Sequence, residues 1–259
     1  MVKVINKRPG GFIYHYGHFI MDCLFPEIIA KVFANKNVVR VKSLQQTIGN
    51  LDKIYERIMG VKNIEVPQAE FDKIKGTPIH IYRINYPTII QLNAYRTYIF
   101  NRFNIDPQKS LVAYPEIILI KRGWKPLLEG KGFDRKGANT GAKRREIFDI
   151  EKLELFLKRR YGKRFQAVVL EELSYKKQIL YFNNAKYIIG IHGAALANML
   201  YCKRGTKLIE VLDKVLWDWQ FVNSCIYKLG CSRVTSKNKY NHIVNTIRLN
   251  IPHGRVGEN

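Results

Sequence analysis

A histidine and a glycine stand where an apolar segment gives way to a helical one. The segment YIIGI (187–191) is rich in β-branched residues, and the alanines that begin at Ala194 favour a helix. Gly193 lets the backbone approach a ligand closely, and the N–H groups that begin a helix bind phosphate or pyrophosphate. These residues predict a diphosphate site in which His192 donates to a phosphate oxygen or positions a sugar. The alternative is a tight strand–helix turn with a hydrogen-bonded histidine.

A carboxylate lies near the end of the next apolar segment. Glu210 belongs to TKLIEVL (206–212), which is typical of a buried strand. In a sheet of βαβ units this carboxylate lies at an adjacent strand end, where open α/β sheets bind ligands. It could accept hydrogen bonds from both hydroxyls of a ribose. The alternative is a surface glutamate at a strand terminus.

Three polar residues near the N-terminus have the spacing of one helical face. His15, His18 and Asp22 lie at positions i, i+3 and i+7. Their types suit a general base that deprotonates a hydroxyl. They also suit a divalent metal held by two imidazoles and a carboxylate. The third interpretation is a helix N-terminus capped by polar groups.

Arginines lie at two places where they could clamp a diphosphate. Arg122 ends the predicted strand EIILIKR, and Arg144 and Arg145 open the helix that follows a Gly- and Lys-rich loop. Guanidinium groups bind phosphate oxygens through charge-assisted, bidentate hydrogen bonds. In so basic a chain, these positions alone are a weak signal.

Several common nucleotide-binding and catalytic motifs are absent from the sequence. There is no GxxxxGK[ST] loop, GxSxG elbow, GxGxxG turn or DxD pair for a metal–diphosphate complex. Asp149-Ile150-Glu151 comes nearest to DxD, but we predict that it lies inside a helix.

The segments around these residues predict an α/β fold. Strand-like segments alternate with helix-like ones in the second half, which predicts βαβ units and a parallel sheet. The strands predicted there are 116–122, 166–173, 187–191 and 205–212, and the helices are 146–162, 174–185, 192–201 and 215–230. In the first half the predicted strands are 38–44, 63–66 and 77–84, and the helices are 12–33, 51–60 and 88–105.

Composition narrows the class of protein. The 259 residues are 46% hydrophobic and 25% charged, as in soluble globular proteins, and no apolar window is long enough to span a membrane. The N-terminus lacks the apolar core of a signal peptide, and the four cysteines form no CxxC pair, so we expect a cytoplasmic protein with free thiols. The net charge of +23 attracts phosphate esters or polyanions, which leaves a basic nucleic-acid-binding protein or nuclease as the alternative function.

Three motifs resemble those of family 61 glycosyltransferases, and they come in the family's order. YGHFIMDCLFPEI (16–28) resembles the N-terminal helix, with its Asp four residues after a His. ILIKR (118–122) and RREI (144–147) resemble two arginine-bearing pieces around a loop. GIHGAALANMLYCKRGTKLIEV (190–211) resembles the C-terminal signature G-x-H-G-A-x-L-x-N, which an acidic residue follows further on.

The resemblance implies a GT-B-like architecture within the α/β class. Two Rossmann-like halves with mainly parallel sheets would face each other across a cleft. We expect residues 1–108 to form the acceptor-side half and residues 109–259 to form the half that binds the nucleotide-sugar, with a C-terminal tail able to return to the first half. Many eukaryotic relatives are membrane-anchored, whereas this chain shows no anchor, which suggests a microbial or viral cytoplasmic enzyme.

The resemblance also implies inverting transfer from a UDP-sugar donor. Xylose is favoured over arabinose and N-acetylglucosamine, and the acceptor is a hydroxyl of a glycan or glycoprotein. Glu210 would bind the ribose, and Arg122 and Arg145 would neutralise charge on the leaving UDP. The residues expected to bind the donor are Arg122, Arg145, His192, Gly193, Ala194, Ala195, Asn198 and Glu210.

The same comparison implies an acceptor side near the N-terminus. His15 and Tyr16 would contact the acceptor there. Asp22 is the preferred general base, because a carboxylate can take the proton while a nearby imidazole such as His18 orients it. Since no DxD pair is present, we expect neither a metal nor any other cofactor besides the UDP-sugar co-substrate.

Overall fold

The described part of the chain contains two parallel sheets, each accompanied by helices. A computed structural model describes residues 2–5, 16–34, 38–43, 50–74, 77–78, 86–123, 146–213 and 220–253. Contacts divide the described chain into one unit that reaches Ile105 and a second that begins at Asp106. The sequence predicted this boundary between residues 108 and 109. The α/β class is confirmed by both sheets.

The first unit contains a four-stranded parallel sheet of order β3-β2-β1-β4. Its strands are β1 (Val2–Ile5), β2 (Val38–Ser43), β3 (Ile64–Val66) and β4 (Thr77–Pro78). Its helices are α1 (Tyr16–His18), a π-helical segment (Phe19–Leu24), α2 (Phe25–Ala34), α3 (Asn50–Met59), α4 (Gln68–Lys73) and α5 (Ile89–Phe103). The rest of the predicted strand 77–84 lies outside the described residues.

Local signals in the sequence explain where two of these helices begin and end. Gly60 has φ +71° and its N–H donates to Glu56 O at 2.9 Å, which ends α3 as predicted. Thr88 and Gln91 form a reciprocal capping box that begins α5, and Asn104 ends that helix in the left-handed region. The helices predicted around these caps are therefore confirmed.

The second unit contains a five-stranded parallel sheet of order β6-β5-β7-β8-β9. Its strands are β5 (Ile117–Lys121), β6 (Phe165–Val169), β7 (Tyr187–Ile191), β8 (Lys207–Leu212) and β9 (Ser232–Lys237). Its α-helices are α6 (Ile150–Tyr161), α7 (Tyr175–Asn184), α8 (Gln220–Lys228) and α9 (Tyr240–Asn250). Because β6 and β7 lie on opposite sides of β5, the strand order reverses between β5 and β7, and the carboxyl ends of these two strands border a crevice.

The segment that follows β7 is helical, as predicted, but it is a 3-10 helix (Ala194–Tyr201) rather than an α-helix. Two further elements of the second unit, β9 and α9, were not predicted at all. The residues of β9, SRVTSK, are polar and half-buried or exposed at most positions, so they lack the apolar alternation that marks a strand.

The start of α6 was predicted wrongly. The helix begins at Ile150, four residues after the predicted start at Glu146, because Asn238 binds the backbone there: its Oδ1 accepts from Phe148 N and its Nδ2 donates to Glu146 O, both at 2.8 Å. Asp149 has φ 54°, which short polar side chains tolerate. Asp149 therefore precedes the helix instead of lying inside it.

One carboxylate joins the amino ends of three strands in the second sheet. Glu116 pairs with Arg164 at 2.9 Å, ahead of β6, and with Lys186, ahead of β7. The hydrogen bond from Lys186, followed by that from Arg164, holds the pKa of Glu116 below its ordinary value of 4.5. Glu116 O also accepts hydrogen bonds from Lys186 N and Tyr187 N.

Glu116→Gln should lower the melting temperature at neutral pH. Because the folded-state pKa of Glu116 is depressed, its stabilisation is present above pH 4.5 and is lost as the pH falls through the folded-state value. The effect should be modest, about 1 kcal/mol or less, because the carboxylate is half-buried. Thermal unfolding from neutral pH down to about pH 3 should show the two proteins converging. A pH-independent gap, or an equal effect of Glu172→Gln at an exposed position, would contradict this origin.

Candidate functional site

Residues from two distant parts of the sequence meet where the strand order of the second sheet reverses. Arg122 directly follows β5, and His192 and Gly193 directly follow β7. The two strands pair in parallel, with Ile120 opposite Gly190, so their carboxyl ends lie side by side. Ligands of open α/β sheets bind at this place.

The side chain of Arg122 lies against the backbone of Gly193. A Cβ atom built on Gly193 would lie 2.3 Å from Nη2 of Arg122, which is far inside van der Waals contact. Gly193 has φ 167°, an extended backbone that any residue adopts. Glycine is therefore needed here for the space that the guanidinium fills, not for an unusual conformation.

The 3-10 helix starts at once beside this guanidinium. Leu196 N donates to Gly193 O at 3.0 Å, so the N–H groups of Ala194 and Ala195 precede the first bond of the helix and have no acceptor within it. Gly190 packs against Leu196 of this helix: a Cβ built on Gly190 would lie 3.5 Å from Cδ2 of Leu196, which is ordinary van der Waals contact. The arginine and the start of the helix together give a concentration of hydrogen-bond donors with positive electrostatic potential.

A buried carboxylate binds the imidazole ring of His192. Its Nδ1 lies 2.7 Å from Oε1 of Glu210 on β8, and the two residues are only 5% and 3% exposed. His192 N also donates to Val211 O at 2.9 Å, which fixes the backbone of the turn. The other carboxylate oxygen, Oε2, lies 3.3 Å from Nη1 of Arg233 on β9. A buried carboxylate is stable only with partners of this kind.

The lysine next to Arg122 is directed to a different partner. Lys121 Nζ donates to Oε2 of Glu154 on α6 at 2.8 Å, and this hydrogen bond raises the pKa of Lys121 above its ordinary value. Glu154 thus compensates the charge of Lys121. Since neighbouring residues at a strand end point in opposite directions, Arg122 is the residue that reaches the β7 turn.

Comparison with models of protein families shows the family of the chain. The model of the family described as Glycosyltransferase 61 matches residues 16–209, about three-quarters of the sequence. The chain belongs to glycosyltransferase family 61. A comparison with curated proteins gives no match. Membership indicates a glycosyltransferase, an enzyme that uses a sugar donor and a glycan acceptor, and nothing in the comparisons supports the nucleic-acid interpretation.

Two other donor-side residues predicted for this glycosyltransferase are buried within the second unit. Asn198 is fully buried, and its Nδ2 donates to Oε1 of Gln178 on α7 at 3.4 Å. A ribose that bound Glu210 would compete with His192 and Arg233 for its carboxylate oxygens. The donor-binding roles of Asn198 and Glu210 stay predictions.

The predicted acceptor-side residues lie in the first unit. Tyr16 is half-buried and begins α1, while the backbone of Asp22 lies in the π-helical segment. The spacing that put His15, His18 and Asp22 on one face assumed an α-helix, whereas the backbone of Phe19–Leu24 is π-helical, with wider turns. That the three side chains share a face stays a prediction. His15 and the side chains of His18 and Asp22 lie outside the described residues.

Two further predictions concern the second pair of arginines and the lack of a membrane-spanning helix. Arg144, Arg145 and most of the loop before them lie outside the described residues. Among the helices that are described, none is both long and apolar enough to cross a membrane.

Two residues of the site, Arg233 and Asn223, are not predicted by the sequence. Arg233 lies opposite Leu208 in the β8–β9 register, and Leu208 and Glu210 point to the same face, so Arg233 reaches Glu210 diagonally. Asn223 on α8 accepts a hydrogen bond from Nη1 of Arg233 at 2.6 Å. No local motif indicates either residue, because the contacts of Arg233 depend on the register of a strand that the sequence does not predict.

Gly193→Ala should weaken the binding of inorganic pyrophosphate by about 10–100-fold, because the new methyl group displaces the guanidinium of Arg122 and its charge-assisted hydrogen bonds. In an Arg122→Ala background the same substitution should cost little more, because there is no guanidinium left to displace. Calorimetric titration of the four proteins in this double-mutant cycle measures both effects, with the melting temperatures as a folding control. Independent, fully additive losses would show that the two residues do not act together.

Proposed function

We propose that the chain is an inverting glycosyltransferase that transfers a sugar from a UDP-sugar to a hydroxyl of a glycan or glycoprotein. Xylose is the favoured sugar. Support comes from the family match over residues 16–209 and from the residues that the second unit brings together. In this proposal the second unit binds the donor and the first unit binds the acceptor, as two Rossmann-like halves across a cleft.

One observation carries the proposal: the guanidinium of Arg122 fills the space above Gly193, beside the start of the 3-10 helix. A diphosphate suits this place, because its oxygens accept hydrogen bonds from the guanidinium and from the N–H groups of Ala194 and Ala195. Arg145 would supply a second cation. These groups neutralise the charge that grows on the leaving UDP, so the reaction proceeds without a metal ion or other cofactor.

The proposed reaction is a single displacement at the anomeric carbon of the sugar. The acceptor oxygen forms a new bond to this carbon. At the same time the bond between this carbon and the diphosphate oxygen breaks, and UDP leaves with the bonding electrons. Asp22 takes the proton of the acceptor hydroxyl, and His18 orients the carboxylate. Asp22 lies in a π-helical segment, a rare backbone form that is frequent at functional sites.

UDP and UDP-sugars should raise the melting temperature, because a ligand that binds only the folded state stabilises it by mass action. UDP-xylose and UDP-N-acetylglucosamine should raise the melting temperature at least as much as UDP, and the shift should persist in EDTA. DNA and RNA oligonucleotides of matched charge should not reproduce it. Stabilisation by oligonucleotides alone would favour a nucleic-acid-binding protein. An absolute need for a divalent ion would contradict the metal-free reaction and favour a metal at His15, His18 and Asp22.

Asp22→Asn should lower kcat by about 10²–10⁴-fold, because the amide cannot accept the proton. The affinity for UDP should stay near that of the original protein, since Asp22 is assigned to the acceptor side. Release of UDP from UDP-xylose and calorimetric titration with UDP measure the two quantities. Asp72→Asn, at an exposed position on α4, is the matched control and should leave both unchanged. Full activity of Asp22→Asn would place the base elsewhere.

A further inference from the structure

Four elements of the second unit are joined by one line of polar side chains. Asn223 on α8 accepts from Arg233 on β9, Arg233 lies 3.3 Å from Glu210 on β8, and Glu210 lies 2.7 Å from the imidazole that follows β7. The line crosses the sheet diagonally and ends at His192, one residue before the glycine under Arg122. It includes residues beyond 209, where the family match ends.

We propose that Arg233 is a positioning residue that acts on His192 through Glu210. The side chain of Arg233 is 23% exposed, so water partly solvates its charge, whereas the Glu210 side chain is only 3% exposed. A buried carboxylate without a cationic partner tends to take up a proton. Arg233, facing Oε2, thus holds the carboxylate where its Oε1 faces Nδ1 of His192.

The hydrogen bond with Glu210 decides which nitrogen of His192 carries the hydrogen. A carboxylate only accepts hydrogen bonds, so Nδ1 of His192 must donate to it. A protonated carboxyl group would instead donate to Nδ1 and move the ring hydrogen to Nε2. Arg233 therefore fixes both the orientation and the tautomer of the ring, although it does not touch it.

This positioning determines what His192 offers a ligand. With Nδ1–H directed to Glu210, Nε2 of a neutral ring accepts a hydrogen bond and cannot donate one to a phosphate oxygen. The contact of the donor with His192 rests on the proposed function, whereas the tautomer does not. The two are therefore tested separately.

Histidine ¹⁵N NMR of the protein without nucleotide tests the tautomer, with His192→Gln to assign the signal. We expect the Nδ1–H form in the original protein, a shift towards the Nε2–H form in Arg233→Met, and recovery in Arg233→Lys, which keeps the cation. kcat/KM for UDP release should fall about tenfold or more in Arg233→Met and recover partly in Arg233→Lys.

Arg248→Met is the matched control, because Arg248 is exposed on α9 and stacks on Phe156 instead. An Nε2–H tautomer in the original protein, or an unchanged tautomer in Arg233→Met, would overturn the proposal. If Arg248→Met changed the tautomer and kcat/KM as much as Arg233→Met, Arg233 would contribute only positive charge in general, and the proposal would also be overturned. A fixed Nδ1–H tautomer in a protein that binds no UDP-sugar would refute the proposed function and leave the role of Arg233 intact.

Discussion

The parallel pairing of β5 with β7 is the constraint on which the site depends. It places Ile120 opposite Gly190, so the residues that follow the two strands emerge side by side. Arg122 and Gly193 are 71 positions apart in the sequence, yet the guanidinium of one fills the space left by the missing side chain of the other. A change of register by one residue would turn Arg122 to the opposite face of the sheet and abolish this contact.

Buried polar contacts hold the β7 turn from the side opposite to Arg122. Glu210 binds the imidazole of His192 from the neighbouring strand, and Arg233 approaches the same carboxylate from the strand beyond. Such a line gains little net stability, because burying the charges offsets much of their attraction. Its contribution is to fix one geometry, which the proposed diphosphate site requires.

The sequence predicted most of the second unit because its signals are local. Apolar β-branched segments marked β5 and β7, and Gly162 marked the end of α6. Arg122, His192 and Gly193 were recognised from their places after strands. Arg233 could not be recognised from the sequence, since its role arises from the register of a polar strand. The start of α6 was predicted wrongly because Asn238, 90 positions from Phe148, binds the backbone of Phe148. The resemblance between motifs supplied the family, which spacing alone did not.

Amide and guanidinium NMR shifts on addition of UDP test the central claim most directly, namely that the diphosphate binds where β5 and β7 end. The account predicts that the largest changes fall on the backbone N–H groups of Gly193, Ala194 and Ala195 and on the side chain of Arg122. Saturable shifts confined to other parts of the chain, with these signals unmoved, would contradict it.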